Sequence, residues 1–298
     1  VDFYHPTQDE LTGKEIAFGG DLARSVKGGA NYLVLETQAQ GQLSWLPYPG
    51  QLRLQALSHI ASGADGVMYW HWHSTHNGFE TYWKGVLSQD FTPNPTYLEA
   101  CRLGSEFADA GESLRGITKT NRIGILVSNE SLTALQWFGI ETGFPASMGP
   151  SIGYNDVLRW IYDALFDLNL EVDFLDASAS NLADYQMLIV PALYVASQAT
   201  TDRLGGYVAG GGHLISTFRS FVADEHGALR ARGRPERADH DGANHFAFLH
   251  GAVRRRLLHG GDDNIAQVDR TIVAHLAIFH HTGRREETPR FQGIPVIH

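Results

Sequence analysis

From its start to about residue 229, this chain repeats one pattern: a short, continuously apolar run, then a longer stretch with apolar residues three and four apart. Runs of that first kind read as strands buried on both faces, and the second kind as amphipathic helices. Strand and helix in strict alternation constrain the chain to βα units on parallel sheets. Tyr32-Leu33-Val34-Leu35 is such a strand and ends in Glu36; Gly66 to His73 is the next. Helices are predicted over Glu15–Lys27, with Ile16, Leu22 and Val26 inward, and over Gln51–Ala61, with Leu54, Leu57 and Ile60 inward. A third is predicted over Asn94–Ala110, with Leu98, Leu103 and Phe107 on one side. Gly28-Gly29 supplies the C-terminal stop of the first.

A second section, 120–229, follows the same rule. Strands are predicted at Arg122–Val127, Glu171–Phe174, Gln186–Pro191 and His213–Phe218. Helices are predicted at Asn155–Leu168, whose apolar face holds Val157, Leu158, Ile161, Leu165 and Leu168, and at Ala199–Ala209. The layout is an open, doubly wound α/β domain of flavodoxin-like or amidotransferase-like type. Residues 230–298 break the pattern: they are rich in His and Arg, hold no Lys, and show no clear periodicity. A disordered basic tail and a stretch read from the wrong frame of the gene both fit; the abrupt change in mid-domain favours the second.

Composition narrows the function classes. With 298 residues, about two domains are expected, and a net charge of -10 argues against a nucleic-acid footprint. The one cysteine, Cys101, allows neither an intrachain disulfide nor a Cys-based zinc site. No apolar run is long enough to span a bilayer, and a cytoplasmic location is expected.

Several residues are candidates for chemistry. Glu36 sits where a barrel strand would deliver a carboxylate to the site at its C-terminal end. The plain alternative is a strand-end Glu paired with a loop cation. In Tyr69-Trp70-His71-Trp72-His73, strand alternation would put Tyr69, His71 and His73 on one face and Trp70 and Trp72 on the other. Trp45, Trp70, Trp72 and Trp83 lie close together along the chain, as a sugar-stacking cleft requires. A metal at His71, His73 and His76 would need further ligands that the sequence does not mark, so none is expected. Glu80, in the loop after that strand, reads equally as a hydroxyl-binding group or a helix-start carboxylate. Asn129-Glu130 follows a strand, as the acid/base of many barrel glycosidases does, but it lies in the second section and is set aside. Cys101 reads as a packed thiol, and Gly210–Gly212 as a helix stop rather than a phosphate loop.

The stretches LVLETQAQGQLSWLPYPGQLRL and ASGADGVMYWHWHSTHNGFETYWKGVLSQDF resemble family 42 β-galactosidases. The likeness continues through KTNRIGILVSNESLTALQWF, YNDVLRWIYDALFDLNLEVDFL and VAGGGHLISTF, to about residue 229. It implies the C-terminal part of a (β/α)8 barrel over 1–115 and an α/β trimerisation domain over 120–229. It also implies a retaining hydrolase of terminal β-D-galactosyl groups that needs no cofactor and assembles as a homotrimer. Glu36 matches the nucleophile, Trp45 a Trp that shapes the sugar pocket, and Glu80 a glutamate on galactose hydroxyls. Trp83 stands where other members often have His, and Trp72 and His71 would line the sugar pocket. The family's acid/base glutamate lies on an earlier strand that this sequence does not include, so the chain alone is expected to be inactive and its barrel part marginally stable. Two other classes compete. An amidotransferase-like hydrolase needs a Cys after the strand QMLIVP, where Ala192-Leu193-Tyr194 stands instead. A non-catalytic galactoside-binding or assembly module, or the product of a damaged gene, remains open.

Overall fold

A computed structural model describes residues 1–41, 45–140 and 152–230, and the backbone of 246–248. The first section forms a three-stranded parallel sheet of β1 (Asp2–Phe3), β2 (Tyr32–Gln38) and β3 (Ala64–Trp70), in that order. Three helices cover one face of it: α1 (Lys14–Val26), α2 (Gln51–Ala61) and α3 (Pro95–Leu114). Between them and the sheet lie Tyr32, Val34, Ile60 and Ala64, joined by Phe3, Val67 and Phe107. The opposite face carries Leu33, Leu35 and Met68, all exposed. This is part of a barrel wall, with its helix layer in place and its interior face open.

The second section is a five-stranded parallel sheet in the order β5-β4-β6-β7-β8, the flavodoxin-like order. Its strands are β4 (Ile123–Val127), β5 (Val172–Asp176), β6 (Met187–Val190), β7 (His213–Ser216) and β8 (Phe246–Phe248). α4 (Asn129–Trp137) and α5 (Tyr154–Asp167) cover one face through Ile125, Ile161, Leu165 and Ile189. α6 (Gln198–Ala209) covers the other through Leu188, Val190 and Leu204. α4 had no counterpart in the periodicity; its start is fixed by Ser128, whose side chain accepts from the Ser131 N–H. β8 pairs with β7 although it falls in the segment expected to lie beyond the domain. The rest of 231–298, including the His and Arg runs, lies outside the described residues.

Several inward assignments need correction. Val26, Leu98 and Leu168 are exposed. α2 is turned so that Leu52, Gln55, Ala56, His59 and Ile60 face in, while Leu54 faces solvent. Cys101 is exposed on α3 rather than packed.

The two sections meet along α1. Ala17, Phe18 and Leu22 pack on the core of the second sheet, and the Phe18 ring meets Phe174 edge-on at 5.3 Å. At the centre is a buried ionic joint. Arg24, 1% exposed, reaches Asp173 at 2.8 Å, Asp21 at 3.4 Å and the Val172 carbonyl at 3.3 Å. Asp21 also receives Lys119 at 3.1 Å and the Tyr162 hydroxyl at 2.7 Å. Burial and the nearby Asp21 carboxylate push that phenol far above its ordinary range.

Candidate functional site

Glu36 owes its position to an irregularity in β2. Val34 pairs with Val67 and Thr37 with Tyr69, so β2 takes one more residue than β3 over this span. The extra residue falls at Leu35–Glu36 and reverses the alternation of faces. Val34 and Thr37 therefore both face the helices, and Glu36 faces the open interior. Regular alternation from Tyr32 and Val34 would have buried it under the helices. Asp2, in register with Glu36 on β1, shares the interior face.

Two side chains respond to Glu36: Tyr4 and His71. The Tyr4 hydroxyl donates to Glu36 Oε1 at 2.7 Å. Burial first, then this bond and the negative charges of Glu36, Asp2 and Glu80, raise the Tyr4 phenol well above its ordinary range. His71 follows β3, stacked on Trp70 at 5.1 Å across a cis peptide bond, with Nε2 3.1 Å from the Thr75 hydroxyl. Desolvation and the neighbouring His73 lower its pKa, and the Glu80 and Glu36 carboxylates oppose them. Glu36 and Glu80 thus act on the same two side chains, Tyr4 and His71, one from β2 and the other from the loop after β3.

Glu80 is held by a well-bonded loop. The Trp83 N–H donates to the Glu80 carbonyl at 2.9 Å, and the Thr75 N–H to the Trp83 carbonyl at 3.1 Å. The segment after β3 is pinned by Val86 N–H to the His71 carbonyl at 2.7 Å and Leu87 N–H to the Trp72 carbonyl at 2.9 Å. Gln40, just beyond β2, donates to the Gly85 carbonyl and ties the two loops together.

Glu36 and Glu80 are both near enough to act electrostatically on Tyr4 and His71, and half-buried Trp83 lies in the same loop as Glu80. Trp45 is exposed and anchored by its carbonyl, which accepts from the Thr7 hydroxyl at 2.5 Å. Trp72 stands apart: its ring meets Tyr97 of α3 edge-on at 6.3 Å, on the helix side. β3 ends at Trp70, and the two-face alternation expected for 69–73 ends with it. Tyr69 faces the helices and feels Glu99 of α3, whereas His71 turns to Glu36. Tyr4 was missed by sequence reasoning; its one signal is a Tyr just past a short strand that pairs with the Glu36 strand. Asn129 and Glu130 form the first turn of α4, where Glu130 accepts from the Ser128 hydroxyl at 3.1 Å. Among the described residues, no group of three or more His, Cys, Asp or Glu is placed to hold a metal.

A three-stranded parallel sheet with its helix layer, carrying Glu36 and the Tyr4 hydroxyl that donates to it, is joined to a doubly wound domain, an arrangement that fits part of a (β/α)8 barrel followed by a second α/β domain. The β-galactosidase family profile matches residues 2–110, and the β-galactosidase trimerisation domain profile matches 125–237. A β-galactosidase of a Planococcus species is 28% identical over 223 residues, covering 72% of this chain and 31% of that protein. The β-galactosidase of Halorubrum lacusprofundi is 30% identical over 210 residues, 68% of this chain and 28% of that one. The solved structure from the same archaeon superposes with a TM-score of 0.65 at 28% identity, covering 75% of this chain and 32% of that chain. A family 42 β-galactosidase of G. stearothermophilus shares the fold at a TM-score of 0.68 and 24% identity, covering 78% of this chain and 34% of its own. The chain belongs to glycoside hydrolase family 42. It spans about a third of the length of the curated relatives it matches.

Proposed function

We propose that this chain carries the nucleophile side of a retaining β-galactosidase site, with Glu36 as the nucleophile. The observation that carries the reading is the Tyr4–Glu36 hydrogen bond at 2.7 Å on the interior face of the sheet. A carboxylate that is to attack an anomeric carbon must be held in one orientation, and a phenol donor does that. In the proposed reaction Glu36 displaces the leaving group to give a galactosyl ester, and water then hydrolyses the ester. Proton transfer to the leaving oxygen falls to a second carboxyl group that the barrel family places on an earlier strand. Glu80 and His71 would bind galactose hydroxyls, with Trp45 and Trp83 against the apolar face of the ring. The chemistry calls for no cofactor.

Assembly as a homotrimer is part of this proposal and rests on the match of 125–237 to a trimerisation domain. So is a cytoplasmic site of action; no described helix is long and apolar enough to cross a membrane.

Trapping tests the reading directly. An activated 2-fluoro-galactoside needs little acid assistance, so labelling depends on the nucleophile and the sugar pocket. A galactosyl adduct on the peptide holding Glu36, located by mass spectrometry and lost in Glu36→Gln, is the expected result. Labelling elsewhere, or none in a chain whose circular dichroism shows it folded, would overturn the assignment.

A further inference from the structure

The layer between α2 and the first sheet is polar where a core is ordinarily apolar. Phe3, Thr37 and Tyr69 stand in register across β1, β2 and β3, all facing the helices. Against them α2 presents Gln55 and His59, one helical turn apart on the same face. The His59 ring lies 5.4 Å from Phe3 and 6.0 Å from His5. His59 is fully buried, and Thr37, Gln55 and His5 are more than nine-tenths buried. Among the described residues, none of Thr37 Oγ1, Gln55 Nε2, His5 Nε2, Tyr69 Oη or the two ring nitrogens of His59 has a protein hydrogen-bond partner.

Buried polar atoms in native proteins are nearly always paired, because leaving one bare forfeits its hydration without return. Six in one layer would take a large share of a domain's stability. They do not pair with one another, and the backbone around them is already committed to strand and helix. A metal ion does not suit the layer: it offers two imidazoles and no carboxylate or thiolate to balance a cation. Water suits it, being donor and acceptor at once and the smallest molecule able to satisfy both kinds of atom.

We propose that this layer is a binding site for a small cluster of ordered water molecules, bridging His59 and Gln55 of α2 to Thr37 and Tyr69 on the sheet and to His5 just past β1. Burial lowers the pKa of both rings; neutral His59 has one donor and one acceptor nitrogen for such bridges, while His5, whose Nδ1 is taken up by the Pro6 carbonyl, offers Nε2. The cluster lies directly behind the irregularity in β2, since Thr37 follows Glu36 and faces the other way. It ties the rear of the Glu36 strand to α2. Nothing in this inference depends on the galactosidase reading.

Two measurements on the full 298-residue chain test it. A crystal structure resolving ordered solvent is expected to show at least two waters in this layer, each with two or more of the named atoms as partners, and no anomalous metal signal. Side chains turned to pair directly around a dry layer, or a metal peak, would overturn the proposal. Oxygen-17 magnetic relaxation dispersion in solution is expected to detect long-lived internal water in the wild type. Thr37→Val with Gln55→Leu should remove most of that signal. A wild-type chain with no long-lived water, or a folded variant with an unchanged signal, would also overturn it.

Discussion

The Tyr4 hydroxyl and the Glu36 carboxylate meet at 2.7 Å although 32 residues separate them, because β1 and β2 pair with Asp2 opposite Glu36. A charge-assisted bond of this kind contributes about 1.5–3 kcal/mol. Tyr4→Phe removes the donor and leaves the ring. Labelling of Glu36 by the 2-fluoro-galactoside should slow by roughly tenfold to a hundredfold, with the circular dichroism unchanged. An unchanged labelling rate would mean that Tyr4 does not orient the nucleophile.

The proposed role of Glu80 can be tested by separating binding from chemistry. If its carboxylate holds sugar hydroxyls, Glu80→Gln should raise the reagent concentration needed for half-maximal labelling by about tenfold while Glu36 remains the labelled residue. A fall in the maximal rate with no change in that concentration would instead place Glu80 in the chemical step.

Gly85 is where the two loops at the site meet. A Cβ there would lie 2.4 Å from the backbone carbonyl carbon of His73 and 2.5 Å from the His71 carbonyl oxygen. Backbone on both sides cannot step aside, so Gly85→Ala should displace the segment that holds His71. The expected outcome is loss of labelling with a unfolding midpoint close to wild type, since the second sheet is untouched. Thermal unfolding and labelling measured on one sample would check both parts.

The joint on α1 should be costly to break. Arg24 is 1% exposed and sits between Asp173 at 2.8 Å and Asp21 at 3.4 Å. Arg24→Met takes the cation from Asp173 and leaves Asp21 to Lys119 and the Tyr162 hydroxyl, at a cost of about 3 kcal/mol, the lower end for breaking a buried ion pair. Arg24→Lys should recover little, because one ammonium cannot span both carboxylates and the Val172 carbonyl. Urea unfolding midpoints of the three proteins test this; a lysine variant as stable as wild type would refute it.

Acid should weaken the first section through His59. Burial, with His5 beside it, lowers the His59 pKa from 6.5 to about 4. Between those values the unfolded chain takes up a proton that the folded chain refuses, so stability falls as pH falls from 6.5 toward 4. The loss approaches on the order of 3 kcal/mol at the acid end. His59→Gln keeps a polar side chain without the titration and should flatten the pH dependence of the urea midpoint. Parallel curves for the two proteins would show that His59 does not carry the effect.

Much of the architecture was legible along the chain. Buried parallel strands must be continuously apolar, so β2, β4, β6 and β7 stood out, and the alternation with helices dictated two parallel sheets. α5 was found with its apolar face nearly complete, because a helix packed on one sheet shows one stripe. α2 was read with its inward face only partly right: Ile60 is buried as expected, but Leu54 is exposed. Leu54 and Leu57 outweigh Gln55 and His59 in any hydrophobic count, yet the structure buries the polar pair. α4 escaped notice because its burial rests on only Ser131 and Leu135.

For the site, the sequence by itself determined that a carboxylate lies near the end of a strand, which runs on to Gln38, and that aromatic and polar residues follow the next one. Local composition is enough for that, since apolar runs and their ends are written in consecutive residues. Only the tertiary structure decided which way Glu36 points. That direction depends on one extra residue in β2 relative to β3, a property of two strands together that neither shows alone. The same holds for Tyr4, whose role exists through pairing across 32 residues, and for Trp72, which turned to α3 once β3 ended at Trp70. Periodicity reports what a segment buries; register between segments decides which side chains meet.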